Sequence, residues 1–99
     1  MSSISPEELQ RRLNGGDVPF MLDVREPEEM EDGVIPGSVN IPMGDVKERL
    51  GELPTDRDIV VICHLGQRSA YITTQLKALG YDRAVNLSGG VDAWLRQRP

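Results

Sequence analysis

The chain has 99 residues and a formal charge of −5 at pH 7, and 38% of its residues are hydrophobic. A chain of this length supports one hydrophobic core, so we expect a single domain over residues 1–99. Sixteen acidic residues outnumber eleven basic ones, which argues against a nucleic acid partner because phosphate binding needs clustered Lys and Arg.

Composition also bears on membranes, metals and redox state. No apolar run approaches the roughly 20 residues of a membrane-spanning helix, and the first residues lack the charged start and apolar middle of a signal peptide. We therefore expect a cytoplasmic protein that has no membrane partner. Cys63 and His64 are the single cysteine and the single histidine, so we expect no internal disulfide, no metal centre and no cofactor.

The chain is predicted to begin with a helix followed by a strand. Ser5 is a typical N-cap, Pro6 suits the first helical position and Glu8 completes a capping box. Two glycines at 15–16 end this helix. The apolar run over 18–24 is then expected to form a buried strand.

The next third of the chain is rich in acidic and turn residues. Residues 26–32 are expected to form one acidic helical turn whose carboxylates face solvent. Residues 34–38 have turn chemistry, and 39–41 predict a brief strand that stops at Pro42. A helix over 45–53 is predicted to follow, with Val46, Leu50 and Leu53 on its inner side.

Strands and helices alternate in the remainder of the chain. The run of β-branched residues at 59–62 predicts a buried strand that delivers Cys63 to the end of a sheet. A helix over 69–79, a strand over 84–87 and a final helix over 91–98 are predicted to follow. The residues of these two helices that are expected to face inward are Ile72, Leu76, Leu79, Val91, Trp94 and Leu95.

This alternation predicts the fold class. Strands that are continuous apolar runs, separated by helices, are typical of an α/β protein in which helices cover both faces of a parallel sheet.

The segment between the strand at 59–62 and the helix that follows predicts an anion-binding loop. Gly66 permits a tight turn, so the backbone N–H groups of residues 63–69 can converge on one point. These donors, the positive end of the helix dipole and Arg68 favour the thiolate of Cys63. We therefore expect a thiol pKa below the roughly 8.5 of a free cysteine, and a nucleophile rather than a small core residue.

Residues around this loop allow more than one interpretation. Arg68 either grips an anionic substrate or pairs with a carboxylate at the surface. His64 either acts on an anion or a proton, or faces solvent. Asp23 and Arg25 either orient the loop from behind or form a local turn closed by a salt bridge.

Taken together, four segments resemble the single-domain rhodaneses, a family of sulfurtransferases. The resemblance implies a five-stranded, mainly parallel sheet with helices on both faces and an active-site loop after its central strand. The segments are Asp-Val-Arg at 23–25, Gly-Val-Ile-Pro-Gly-Ser-Val-Asn-Ile-Pro at 33–42, Cys-His-Leu-Gly-Gln-Arg-Ser at 63–69, and Asn-Leu-Ser-Gly-Gly at 86–90 together with Trp94.

The resemblance also implies a reaction. Cys63 would take the outer sulfur of a small anionic donor such as thiosulfate as a persulfide, and pass it to cyanide or another thiophilic acceptor. The residues implied to bind the donor are His64, Leu65, Gly66, Gln67, Arg68 and Ser69.

The chain departs from the family pattern at three points. Val34 stands where rhodaneses usually have His, and Met30 stands where they often have an aromatic residue. Arg68 is the one permanent cation of the loop, which predicts weak binding of thiosulfate.

Other functions stay open. Cysteine phosphatases and arsenate reductases have similar folds with five residues between Cys and Arg, whereas four residues separate Cys63 from Arg68. A non-catalytic binding module is a second alternative, although such modules often lack the cysteine. A third is a sulfur carrier that passes its persulfide to a sulfur-accepting protein.

Overall fold

Five short strands form one sheet in the computed structural model, which describes residues 2–97. The strands are β1 (Ser3–Ile4), β2 (Phe20–Asp23), β3 (Val39–Asn40), β4 (Ile59–Ile62) and β5 (Ala84–Leu87). Their order is β1-β5-β4-β2-β3, and each neighbouring pair is parallel. β4 is therefore the central strand, and the loop at its carboxyl end leaves the middle of the sheet.

Helical segments connect these strands. Ser5 caps the first helix, as predicted, because its hydroxyl accepts a hydrogen bond from the N–H of Glu8 at 3.1 Å. No helix within residues 2–97 is long and apolar enough to cross a membrane. The helices are α1 (Pro6–Asn14), α2 (Gln67–Ala78) and α3 (Gly90–Leu95), and the 3₁₀ segments are Pro27–Asp32, Met43–Asp45 and Lys47–Glu52.

The residues of β4 alternate between two apolar layers. Val61 belongs to the layer that includes Ile72 of α2. Ile62 belongs to the opposite layer, with Leu9 of α1 and Val91 of α3. Both faces of the sheet are thus covered by helices, which confirms the predicted fold class and explains why β4 is apolar throughout.

Two strands differ from the sequence prediction by more than one residue. β1 was not predicted, because two residues are too few to show an alternating pattern, and it pairs with β5 at one edge of the sheet. The strand predicted over 18–24 is shorter, since β2 starts at Phe20 and Val18 is 50% exposed.

The helix predicted over 45–53 is wrong. The chain forms two 3₁₀ segments there, and Arg49 has φ −115° and ψ 24°, which is outside the helical region. Glycines at 44 and 51 weaken helix formation in so short a segment. The predicted inward side of this segment is nevertheless buried, because Val46 is 4% and Leu53 6% exposed.

The two later helices also differ at their ends. α2 begins at Gln67, two residues before the predicted start. It ends at Ala78, so Leu79 leaves the helical spacing and is 50% exposed rather than buried. Leu95, predicted to face inward, is 51% exposed at the end of α3. The prediction that this helix continues to residue 98 is wrong, because α3 ends at Leu95 and residues 96–97 are not helical; residue 98 itself lies outside the described residues.

Candidate active site

Cys63 lies directly after β4, where a tight turn leads into α2. Gly66 is the N-cap of α2 and has φ +102°, a left-handed conformation that side chains rarely adopt. A Cβ at this position would also lie 3.2 Å from the backbone N of Gly89, so the turn is pressed against the loop that follows β5. Gly66 is therefore required both by its backbone angle and by close packing.

The sulfur of Cys63 is surrounded by hydrogen-bond donors. The N–H of Gly66 donates to Sγ at 3.1 Å, and the Oγ of Ser69 lies 3.3 Å from it. Burial raises the pKa of the Cys63 thiol and is the largest single influence on it. Hydrogen bonds from the Ser69 hydroxyl and from the amides of Ser69, Gly66 and Leu65 together outweigh burial, so the pKa is lower than usual.

The hydroxyl of Ser69 is shared between two neighbours. Its Oγ lies 2.5 Å from Oδ1 of Asn86 as well as 3.3 Å from the sulfur. A hydroxyl carries one hydrogen, so Asn86 competes with Cys63 for it. Asn86 belongs to β5 and is 8% exposed, and no role in the site was predicted for this residue.

The start of α3 holds the backbone of the loop. The N–H of Val91 donates to the carbonyl of Cys63 at 2.8 Å, and the N–H of Asp92 donates to that of His64 at 3.1 Å. Carbonyl and N–H of a trans peptide point in opposite directions, so fixing the His64 carbonyl directs the N–H of Leu65 away from α3. α3 thereby orients one of the amides that lower the pKa of the thiol.

This contact depends on Gly90. Gly90 has φ +63°, and a Cβ there would overlap the carbonyl oxygens of Cys63 and His64. The two loops can approach closely only because this residue has no side chain.

Arg68 forms an ion pair, which is the second of its two interpretations. Its Nη1 and Nη2 each donate to a carboxylate oxygen of Glu29 at 2.8 Å. The hydrogen bond from Arg68 is the main reason that the pKa of Glu29 is lowered to about 2. The expectation that every carboxylate of residues 26–32 faces solvent is therefore wrong for Glu29, because a two-point ion pair engages it.

Asp23 and Arg25 form a local turn closed by a salt bridge, as in the second of their two predicted roles. They form a fully buried ion pair, with Nη2 of Arg25 2.8 Å from Oδ2 of Asp23. Arg25 also donates to the carbonyls of Glu29 at 3.1 Å and of Gly33 at 2.9 Å. The pair therefore fixes the 3₁₀ segment whose Glu29 carboxylate engages Arg68.

A pocket of about 100 Å³ opens beside the thiol. Liquid water occupies about 30 Å³ per molecule, so the pocket has room for a small ligand of a few atoms. Cys63 itself is 1% exposed, whereas Leu65 on the rim is 55% exposed. The residues that line the pocket are Cys63, His64, Leu65, Gln67 and Arg68.

The predicted site residues fall into two groups, those that contact the sulfur of Cys63 and those that line the pocket beside it. Gly66 and Ser69 meet at the sulfur, whereas the exposed side chains of His64 and Gln67 line the pocket. Glu29, Asn86 and Gly90 were missed by the sequence analysis. Asn86 and Gly90 lie in a segment that carries the family resemblance, but Glu29 gave no signal of its contact with Arg68, 39 residues away.

Fold and site together define an α/β domain in which a buried cysteine with a lowered pKa follows the central strand of a parallel sheet. The family model described as "Rhodanese-like domain" matches residues 5–97. The chain belongs to the rhodanese-like family.

Similar proteins support a role in sulfur transfer. A sulfurtransferase of Allochromatium vinosum is 38% identical over 96 residues, which cover 97% of this chain and 90% of the relative. The structure of the human single-domain sulfurtransferase TSTD1 has a TM-score of 0.89 at 27% identity and covers 100% of this chain and 99% of that one. The "Putative sulfur carrier protein YrkF" of Bacillus subtilis is 37% identical over 91 residues, which cover 92% of this chain and 49% of the relative.

Proposed function

We propose that this protein is a single-domain sulfurtransferase that carries sulfane sulfur as a persulfide on Cys63. The observation that carries the proposal is the hydrogen bond of 3.1 Å from the Gly66 N–H to Sγ, in a loop that lowers the pKa of the thiol. The thiolate is the reactive form of cysteine, and these donors raise its population near neutral pH.

The first half of the reaction loads the cysteine. The thiolate of Cys63 attacks the outer sulfur of thiosulfate or a similar donor and forms a new S–S bond. The S–S bond of the donor breaks, and sulfite leaves with the bonding electron pair. No proton is transferred, so no separate base is needed once the thiol is ionised.

The second half unloads it. Cyanide or another thiophilic acceptor attacks the outer sulfur, thiocyanate leaves when the acceptor is cyanide, and the Cys63 thiolate is restored. The persulfide is itself an anion, so the hydrogen-bond donors that stabilise the Cys63 thiolate are suited to stabilise the persulfide as well.

A sulfur carrier for another protein is a second candidate. The similarity to YrkF and the exposure of Leu65, 55% exposed at the rim of the pocket, favour it. In this role a sulfur-accepting protein takes the place of the small acceptor. Either role requires a reduced Cys63, so we propose that the protein works in a reducing compartment such as the cytoplasm.

The mass of the intact protein tests the proposal. We expect exposure to excess thiosulfate to add the mass of one sulfur atom, and subsequent cyanide to remove it with release of thiocyanate. Thiocyanate released over many turnovers indicates an enzyme. A single turnover with cyanide, together with transfer to an added protein acceptor, indicates a carrier.

Cys63→Ser is the matched control, because the substitution is nearly isosteric. It should take up no sulfur and should retain the circular dichroism spectrum and thermal unfolding of the wild type. Hydrolysis of an aryl phosphate by a protein that gains no sulfur from any donor would instead indicate a phosphatase, and the proposal would be wrong.

A further inference from the structure

The cation beside the nucleophile is already neutralised by the protein's own carboxylate. Both Nη atoms of Arg68 donate to Glu29, and this two-point geometry is the strongest that Arg and carboxylate adopt. Arg68 and Cys63 both line the pocket, whereas Glu29 belongs to the 3₁₀ segment Pro27–Asp32, which is distant in sequence. The ion pair thus joins two separate parts of the site.

Two further hydrogen bonds fix the position of Glu29. Arg25, which is fully buried, donates to the Glu29 carbonyl at 3.1 Å. The N–H of Glu26 donates to Oε2 of Glu29 at 2.8 Å, in a capping box at the start of the 3₁₀ segment. The pKa of Glu29 is about 2, so the carboxylate stays charged at any pH at which a thiolate nucleophile functions.

The charges at the reactive centre therefore sum to an anion. The Cys63 thiolate and the Glu29 carboxylate contribute two negative charges and Arg68 contributes one positive charge, so the net charge of these three groups is −1. A doubly charged donor such as thiosulfate meets twice the repulsion of a singly charged donor of the same shape, because Coulomb energy scales with the charge.

We propose that Glu29 is a specificity-determining residue that neutralises Arg68 and thereby favours singly charged sulfur donors over doubly charged ones. This inference rests on the proposed function and names the class of donor for the same site. Glu29 does not touch the reacting atoms in this scheme. It controls whether the guanidinium of Arg68 is available to a second negative charge on the donor.

The test compares two donors that differ in charge and little in shape. Thiosulfate is a dianion, and methanethiosulfonate is a monoanion in which a methyl group replaces one oxygen. When the outer sulfur passes to a thiolate, the S–S bond of the sulfur donor breaks, and sulfite or methanesulfinate, respectively, leaves with the bonding electron pair. KM and kcat are measured by thiocyanate release with cyanide, and persulfide formation is measured by intact mass.

Glu29→Gln removes the charge and retains an oxygen that can accept the hydrogen bond from Glu26. We expect the KM for thiosulfate to fall about 5-fold, which is the upper range for a partly exposed ion pair. The KM for methanethiosulfonate should fall about 2-fold, because the repulsion of a single charge is half as large. The kcat should stay within about 2-fold of the wild type for both sulfur donors, since the hydrogen bonds to Sγ are unchanged.

Two further variants control for indirect effects. Glu28→Gln makes the same change of charge at an exposed neighbouring residue and should leave both KM values within about 2-fold of the wild type. Arg68→Ala in the Glu29→Gln background should raise the KM for thiosulfate again, because the released guanidinium is then absent.

The outcomes separate this inference from the proposed function. A wild type that forms the persulfide, together with a Glu29→Gln variant whose thiosulfate KM is unchanged or higher, overturns only the inference. An equal fall in KM for both donors also overturns it, because charge selection is then absent. A wild type that forms no persulfide with either donor overturns both proposals.

Discussion

At the scale of single residues, burial and hydrogen bonding have opposite effects on the pKa of the Cys63 thiol. Burial alone raises the pKa of the thiol, and hydrogen bonds from the Ser69 hydroxyl and three amides lower it. The three amides belong to the backbone and survive substitution, whereas the hydroxyl of Ser69 is removable. Ser69 therefore allows the balance to be tested with one mutation.

Ser69→Ala should raise the pKa of Cys63, because burial stays and one donor to the thiolate is lost. Thiolate absorbance in the ultraviolet, followed against pH, measures this shift directly. Ser88→Ala, at an exposed serine after β5, is the matched control and should titrate like the wild type. Identical titration curves for all three proteins would contradict the role assigned to Ser69.

Arg25 is the residue whose loss should destabilise the fold most clearly. Arg25→Met leaves the Asp23 carboxylate buried without its cation, and breaking a buried ion pair in this way costs about 3–5 kcal/mol. The free energy of unfolding in urea measures the effect.

The control is an exposed arginine in a similar pair. Arg96 pairs with Asp92 at 3.0 Å, but its side chain is 75% exposed. Arg96→Met should change the free energy of unfolding by less than about 0.5 kcal/mol. Equal losses for the two variants would show that burial of the pair does not matter.

At the scale of elements, the loop at 63–66 and α3 form one unit. The first N–H groups of a helix have no partners inside it, and here the carbonyls of Cys63 and His64 accept two of them. The hydrogen bond to His64 also orients the His64–Leu65 peptide unit, whose N–H is one of the amides that lower the pKa of the thiol. A change in α3 should therefore alter the reactivity of Cys63 without touching its side chain.

Gly90→Ala tests this connection. The added Cβ overlaps the carbonyl oxygens of Cys63 and His64 at a residue whose φ is already +63°. We expect the protein to lose at least about 2 kcal/mol of stability, from strain and overpacking, and to form the persulfide more slowly. Urea denaturation and the rate of sulfur uptake are the measurements.

Gly51→Ala is the matched substitution, since a Cβ there has no heavy atom within 4 Å. It should keep the wild-type rate of sulfur uptake and nearly the wild-type stability. Persulfide formation at the wild-type rate in Gly90→Ala would show that α3 does not position the loop.

Elements with strong local patterns could be predicted from the sequence. The strand before Cys63 and the strand at 84–87 have the predicted bounds, because their apolar runs are flanked by turn residues. Segment 45–53 failed, because its inward residues fit a helix and two 3₁₀ segments equally well. In the site, Gly66 was predictable from turn chemistry. The Glu29–Arg68 pair was not, since it depends on how distant segments pack.

At the scale of the whole molecule, ion pairs make the stability of the fold depend on pH. The hydrogen bond from Arg68 lowers the pKa of Glu29 to about 2, and the hydrogen bond from Arg83 is the main cause of a lowered pKa at Asp58. Because each folded pKa lies below the unfolded value of about 4, the stabilisation is complete at higher pH. It is lost as pH falls toward the folded pKa.

We therefore expect the urea midpoint to fall as pH decreases from about 5 to about 2.5. The midpoint of Glu29→Gln should fall less over the same range, because this variant has no carboxylate at position 29 to protonate. The difference between wild type and variant should be largest near pH 5 and smaller near pH 2.5. A constant difference across the range would contradict the lowered pKa of Glu29.

The near-complete burial of Cys63, which is 1% exposed, bears on damage by oxidants. Peroxides attack accessible thiolates, and the pocket beside Cys63 is where a small oxidant would reach its sulfur. In the proposed cycle the transferred atom lies about 2 Å farther out, at the length of an S–S bond. An oxidant would then react with the outer sulfur of the Cys63 persulfide, and a thiol could still cleave the S–S bond that attaches this atom. The outer sulfur of the persulfide would be oxidised in place of Cys63, and its removal would return an intact cysteine.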